Sequence, residues 1–163
     1  MSLRALCFVT PMILCAACGA PEDRCGPTSA IVKRAVDGDT IELESGERIR
    51  YLLVDTNEIT DDSCYADEAL KFNRDLVEGK LVTLTYDQEC TDRFGRLLAY
   101  VSVSGREVNT LLLERGYACV LYIAPNGMDR RDAYRAIEAI AKSEKKGMWG
   151  FCPSVMEEIQ CDQ

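Results

Sequence analysis

The stretch from Ala30 to Val54 limits the fold most sharply. Ala30-Ile31-Val32-Lys33-Arg34-Ala35-Val36 is rich in β-branched residues, and a tight Asp37-Gly38-Asp39 turn leads from it into Thr40-Ile41-Glu42-Leu43-Glu44. Ser45-Gly46 then turns the chain into Arg48–Val54. Three short strands joined by glycine-bearing turns form an antiparallel meander.

Beyond the meander the period changes. Residues 64–78 carry Ala66, Leu70, Asn73 and Val77 at helical spacing, widened by Ala69, Phe72 and Leu76; Asp62 or Ser63 can cap the start and Gly79 suits the end. Leu81–Tyr86 and Leu97–Val103 read as two more strands, and Val108–Arg115 as a short helix stopped by Gly116. Ala118–Ile123 is apolar and extended. A last helix covers about Asp129–Lys146, with Ala133, Ile137, Ile140 and Ala141 as its buried stripe and Glu138 and Lys142 paired one turn apart. Five strands with about three helices between and after them imply an α+β domain: a small closed or nearly closed barrel flanked by helices.

The flanks read differently. Residues 1–20 have the pattern of an export signal, with Arg4, an apolar run Ala5–Leu14 and then small residues. Leu14-Cys15-Ala16-Ala17-Cys18-Gly19 resembles a bacterial lipobox, which makes Cys18 the candidate for lipidation and a membrane anchor; a plain secretory signal cut near Ala20 is the alternative. Residues 21–28 form a tether, 29–152 the folded domain and 153–163 an acidic tail. Either signal places the protein outside the cytoplasm, in the cell envelope or secreted. Nine cysteines agree with an oxidising compartment. Setting aside Cys7, Cys15 and Cys18 leaves Cys25, Cys64, Cys90, Cys119, Cys152 and Cys161, a set without a CxxC pair, which disfavours a metal–thiolate site. Six cysteines can pair in about 15 ways, and the residues alone leave the pairing open.

The chain has no histidine. That removes Ser-His and Cys-His triads, imidazole acid–base chemistry and most catalytic zinc sites. What remains is grouped in three places: Asp37-Gly38-Asp39-Thr40, Arg50 to Glu58, and Asp92-Arg93-Phe94-Gly95-Arg96. Carboxylates and a threonine offer the oxygen ligands a hard cation needs, a further carboxylate can orient water, and arginines suit a crowded phosphorane. Asp37 reads as a turn-former. The net charge of −8 weakens non-specific attraction to nucleic acid, although the acidic tail accounts for part of it.

In order and spacing, these motifs resemble the staphylococcal nuclease (thermonuclease) family from about Ile31 to Trp149. The resemblance rests on Asp37–Thr40, Leu53–Thr56, Thr91–Leu97, Val108-Asn109, Gly116-Tyr117-Ala118 and Met148-Trp149. It implies an oligonucleotide-binding (OB)-type five-stranded barrel and calcium-dependent cleavage of DNA and RNA by a monomer. By position, Asp39 and Asp55 match the carboxylate calcium ligands and Thr56 a main-chain ligand. Glu58 matches the residue that activates water, while Arg50 and Arg96 match the two arginines on the scissile phosphate. Arg93, Phe94 and Tyr122 match residues that hold the nucleotide.

The chain departs from the family at Asn57, where a proline is usual and where asparagine is expected to loosen the turn holding Glu58. Phe94 lacks the hydroxyl that a tyrosine there would donate to a terminal phosphate, and Ala124 stands in place of a second base-pocket tyrosine, which points to weaker nucleotide affinity. On family topology Cys64 and Cys90 fall near each other, implying a Cys64–Cys90 bridge and, with it, Cys119–Cys152 and Cys25–Cys161. The competing expectation is a catalytically idle barrel that binds nucleic acid or protein.

Overall fold

The computed structural model describes residues 25–58 and 63–152. Cys18, Asp62, Cys161 and the 153–163 tail lie outside the described residues. The strands are β1 (Ser29–Ala35), β2 (Thr40–Leu43), β3 (Arg48–Tyr51), β4 (Leu81–Thr91), β5 (Leu97–Val103) and the two-residue β6 (Arg106–Glu107). The helices are α1 (Ala66–Val77), α2 (Val108–Glu114), α3 (Arg131–Ser143) and the single turn α4 (Met148–Phe151).

The meander forms as expected, with β1 and β3 both antiparallel to β2. The sheet order is β3-β2-β1-β4-β5-β6, and a parallel pairing of β3 with β5, Ile49 opposite Leu97, closes it into a barrel. Five principal strands, α1–α3 and a closed mixed barrel make the α+β, OB-type architecture. Val32, Ile41, Leu43, Ile49, Val82, Leu84 and Val101 fill the interior and are all buried. Each such side chain contributes about 1.5–3 kcal/mol by leaving water.

Three elements depart from the sequence expectations. Strand β4 runs to Thr91, five residues past Tyr86, with a register shift between Tyr86 and Thr91. Its polar extension finds partners in a distant loop: the Asn126 side chain accepts from Glu89 N (2.8 Å) and donates to Glu89 O (2.9 Å), as a neighbouring strand would. Helix α3 buries Tyr134, Glu138 and Ala141, leaving Ala133 and Ile140 exposed. Polar anchors set that face, since Val120 N donates to Glu138 Oε1 (3.0 Å) and the Tyr134 hydroxyl donates to Glu107. The Glu138–Lys142 pair forms at 3.0 Å. Helix α1 starts at Ala66 after Tyr65 in the left-handed region, and Ser63 supplies its main-chain oxygen there, not a side-chain cap.

The disulfides also differ. Cys25 pairs with Cys90 and Cys64 with Cys152, with Cα–Cα separations of 5.0 and 5.8 Å. These replace the expected Cys64–Cys90, Cys119–Cys152 and Cys25–Cys161 bridges. One bridge ties the segment before β1 to the end of β4, and the other ties the approach to α1 to the end of α4. Cys119 is oxidised too. Pairing follows which Cα atoms the closed fold brings within about 4.4–6.8 Å, a tertiary property.

Candidate active site

The pocket is built where the β1–β2 turn meets the end of β3. Antiparallel register puts Thr40 opposite Arg50, and Tyr51 N donates to Asp39 O at 2.9 Å, so Asp39 sits beside Arg50. The turn is tight because Asp37 Oδ1 accepts from Asp39 N (3.0 Å). It also lies close against its neighbours. A Cβ on Gly38 would fall 2.6 Å from Thr56 Oγ1 and 2.8 Å from Ala69 Cβ, so no larger residue fits.

After β3 the chain doubles back. Leu53 takes a φ of 61°, unusual for a leucine, and its neighbour is held by Asn109 Nδ2 donating to Leu52 O (2.9 Å). This reversal lets Arg50 Nη1 donate to Tyr51 O (2.8 Å) and Val54 O (2.6 Å). It also brings Asp55 alongside: Arg50 Nη2 donates to Asp55 Oδ1 at 2.5 Å, and Arg50 Nε lies 3.1 Å from Asp39 Oδ1. Asp39 Oδ2 accepts from Thr56 N (2.8 Å) and Thr56 Oγ1 (3.0 Å), and Oδ1 from Thr40 Oγ1 (3.2 Å). Asp55 is fixed from behind by two main-chain bonds exchanged with Cys119, each 2.9 Å.

One arginine therefore sits among four carboxylates, since Asp39, Asp55, Asp37 and Glu58 all act on its charge. Burial works against the Arg50 charge, but these neighbours outweigh it and raise its pKa. Burial first, and the neighbouring carboxylates second, show in the acids. Burial, reinforced by Asp39, pushes Asp37 up to about 7. Burial likewise pushes Asp55 up to about 6, although Arg50 pulls against it. Asp37 thus belongs to the pocket as well as to the turn. The Asp-x-Asp spacing was the signal for it, because both side chains leave one short turn.

Among the described residues, no three acidic, histidine or cysteine side chains converge closely enough to hold a metal alone. The donor set is two carboxylates and a main-chain oxygen, which leaves room for water and phosphate in a calcium shell of six to eight oxygens. A buried, hard-oxygen pocket with uncompensated negative charge fits that cation.

The second arginine stands apart. Asp92 Oδ2 holds Arg96 Nε at 2.7 Å, and Asp92 Oδ1 accepts from Phe94 N (2.9 Å) and Arg96 N (3.0 Å). Burial works against the Asp92 charge, but these donors prevail and lower its pKa. The Phe94 ring is 68% exposed, with the Arg93 and Arg96 guanidinium carbons 4.7 and 5.5 Å from its centre. Beside this turn runs a groove of about 720 Å³ lined in part by Pro27, Arg48, Phe94 and Arg96, and it contains none of Asp39, Arg50 or Asp55. Tyr122 lies under Arg131, 4.9 Å from its guanidinium carbon. The structure thus gathers Asp39, Arg50, Asp55 and Thr56 with Glu58 nearby. It puts Arg93, Phe94 and Arg96 on the β4–β5 turn, and Tyr122 on the segment after α2.

Comparison with known proteins gives this geometry a lineage. The family described as staphylococcal nuclease homologue matches residues 48–150. Endonuclease YncB of Bacillus subtilis is 41% identical over 124 residues, covering 71% of this chain and 59% of the relative. The SPbeta prophage-derived endonuclease YokF of the same organism is 40% identical over 124 residues, 71% of this chain and 42% of the relative. This chain therefore spans less than two thirds of either relative. Thermonuclease of Staphylococcus intermedius is 34% identical over 123 residues, 71% of this chain and 70% of the relative. The match runs from β3 into α4, through the strand that carries Arg50 and the turn that carries Arg96, and the chain belongs to the staphylococcal nuclease family.

Proposed function

We propose that this protein is an exported, calcium-dependent endonuclease that hydrolyses DNA and RNA and leaves 3′-phosphate ends. The observation that carries the reading is the set of carboxylates around Arg50, with Asp39 buried, Asp37 and Asp55 half-buried and Glu58 at the exposed rim, which suits a further cation. Calcium held by Asp39, Asp55 and the Thr56 main-chain oxygen would neutralise phosphate charge there. Exposed Glu58 orients a water and takes its proton as the oxygen attacks phosphorus. Arg50 and Arg96 donate to the phosphate oxygens as charge accumulates, and the bond to the 5′-oxygen breaks as that oxygen takes a proton from solvent water, the proton held by Glu58 returning to solvent. Asp92 holds Arg96 through Nε, which leaves the terminal nitrogens of the guanidinium for the phosphate. Export rests on the signal-like residues 1–20, with Cys18 as the candidate lipid anchor, and on half-cystines that need an oxidising compartment.

The test is cleavage of a fluorescent single-stranded DNA by the oxidised protein, in calcium or in EGTA, beside Glu58→Ala. Cleavage is expected to vanish in EGTA and to fall by about 10²- to 10⁴-fold in the variant. A folded wild-type protein that leaves the DNA intact in calcium would reduce the domain to a binding barrel.

A further inference from the structure

Glu58 ends a run of residues that are each tied to a different part of the molecule. Asp55 is bonded in both directions to Cys119, and Thr56 to the Asp39 carboxylate. Asn57, only 7% exposed, donates its side-chain amide to the main-chain oxygen of Cys64. Glu58 follows and is exposed. The Asn57 amide is thus the last contact before the carboxylate: where a proline is usual, this side chain turns inward onto the Cys64 carbonyl.

What it fastens to is itself held. Cys64 is bridged to Cys152, which packs against the buried pair Cys119 and Met148 together with Trp149. Cys119 in turn carries Asp55. A single small cluster therefore reaches both ends of the Asp55–Glu58 run. We infer that Asn57 is a positioning residue for Glu58, acting through the Cys64 carbonyl, whose place is set by the Cys64–Cys152 bridge. The Asn57–Cys64 contact itself touches none of the cation ligands: Asp39, Asp55 and Thr56 are held by Arg50, by one another and by Cys119. The inference rests on the endonuclease reading for its kinetic consequence, and on the Asn57–Cys64 contact for its structural one.

The experiment uses the full oxidised chain and compares Asn57→Ala, Asn57→Asp and the Cys64→Ser/Cys152→Ser pair. Aspartate keeps the size of asparagine but cannot donate to a carbonyl. Each is expected to lower kcat by about 10- to 100-fold with KM and calcium affinity within about twofold of wild type, the scale of a misplaced catalytic group. Asn57→Ala combined with the cysteine pair should be no slower than the worse parent, since both break one chain of contacts. Unchanged kcat in Asn57→Ala, additive losses, or calcium affinity falling in step with kcat would overturn the inference. Exchange of the Asn57 side-chain amide protons, followed by NMR, separates this from the function itself. Slow exchange in wild type that becomes fast in the Cys64→Ser/Cys152→Ser protein supports the clamp even if no DNA is cut. Fast exchange in wild type refutes it even if DNA is cut.

Discussion

The pocket around Arg50 and the turn around Arg96 each join an arginine to aspartate, yet they are built on opposite principles. Arg50 is 12% exposed at its side chain, and its contacts come from three separate segments: the β1–β2 turn, β3 and the reversal after it. Arg96 is 28% exposed and is held within its own turn by Asp92, four residues earlier. The first arrangement needs the meander paired in register and the reversal after it folded back, and water screens it little. The second is local, and solvent limits what its ion pair can contribute. On the proposed reading, the phosphate would meet one arginine fixed by distant segments and one fixed only by its own turn.

The largest effect should come from breaking the pocket. Arg50→Ala leaves buried Asp39 and half-buried Asp55 without their cation and is expected to reduce kcat by about 10²- to 10³-fold. It should also destabilise the calcium-free protein by about 3–5 kcal/mol, read from urea unfolding in EGTA. Full activity in this variant would show that the pocket is not where charge is stabilised.

Next comes pH. Asp37 and Asp55 have folded pKa values of about 7 and 6, above the ordinary carboxylate range. The neutral acids are therefore favoured by folding, and that stability is present below about pH 4 and lost as pH rises through 6 and 7. Asp92, Glu42 and Glu47 are shifted downwards and so contribute a constant amount above the acid range. In EGTA, the fall in Tm from these two acids should run between about pH 4 and pH 7, and Asp37→Asn, which still accepts from Asp39 N, should flatten the slope. A Tm that rises across this range in EGTA would contradict the balance of charge drawn for the pocket.

The smallest effect belongs to the exposed turn. Phe94→Ala should leave stability within about 0.5 kcal/mol, as for most surface substitutions. It should weaken single-stranded DNA affinity by about 1 kcal/mol, the low end for an aromatic stack, because Arg93 and Arg96 already lie against the ring. The readout is KM with kcat unchanged. A kcat loss as large as that of Arg50→Ala would erase the contrast between the two regions.

How much of this was legible in the sequence varies with how local each feature is. The meander, the helix at α1 and the three motifs lie in short windows of periodicity and turn chemistry. The face of α3 was misread because apolar spacing favoured Ala133 and Ile140, whereas Glu138 and Tyr134 turn inward to meet Val120 N and Glu107. Strand β4 was cut short at a run of polar residues whose partner, Asn126, is 37 residues away from Glu89. Asn57 was read as a loosened proline position, since nothing nearby in sequence reveals the Cys64 carbonyl waiting for its amide. In each case the deciding partner is brought in by the closed barrel.

That closure has a consequence for how the chain acquires its shape. The β3–β5 seam sets Ile49 against Leu97, with α1 and all of β4 in the intervening loop. The entropy of closing such a loop must be met before the seam's hydrogen bonds form, so folding is expected to be slower than in a helical domain of equal size. A nascent or truncated chain that ends before Leu97 holds β3 and β4 as open edges, each a template for another copy. The seam that closes the barrel is therefore also the step that covers the edges through which this chain would aggregate.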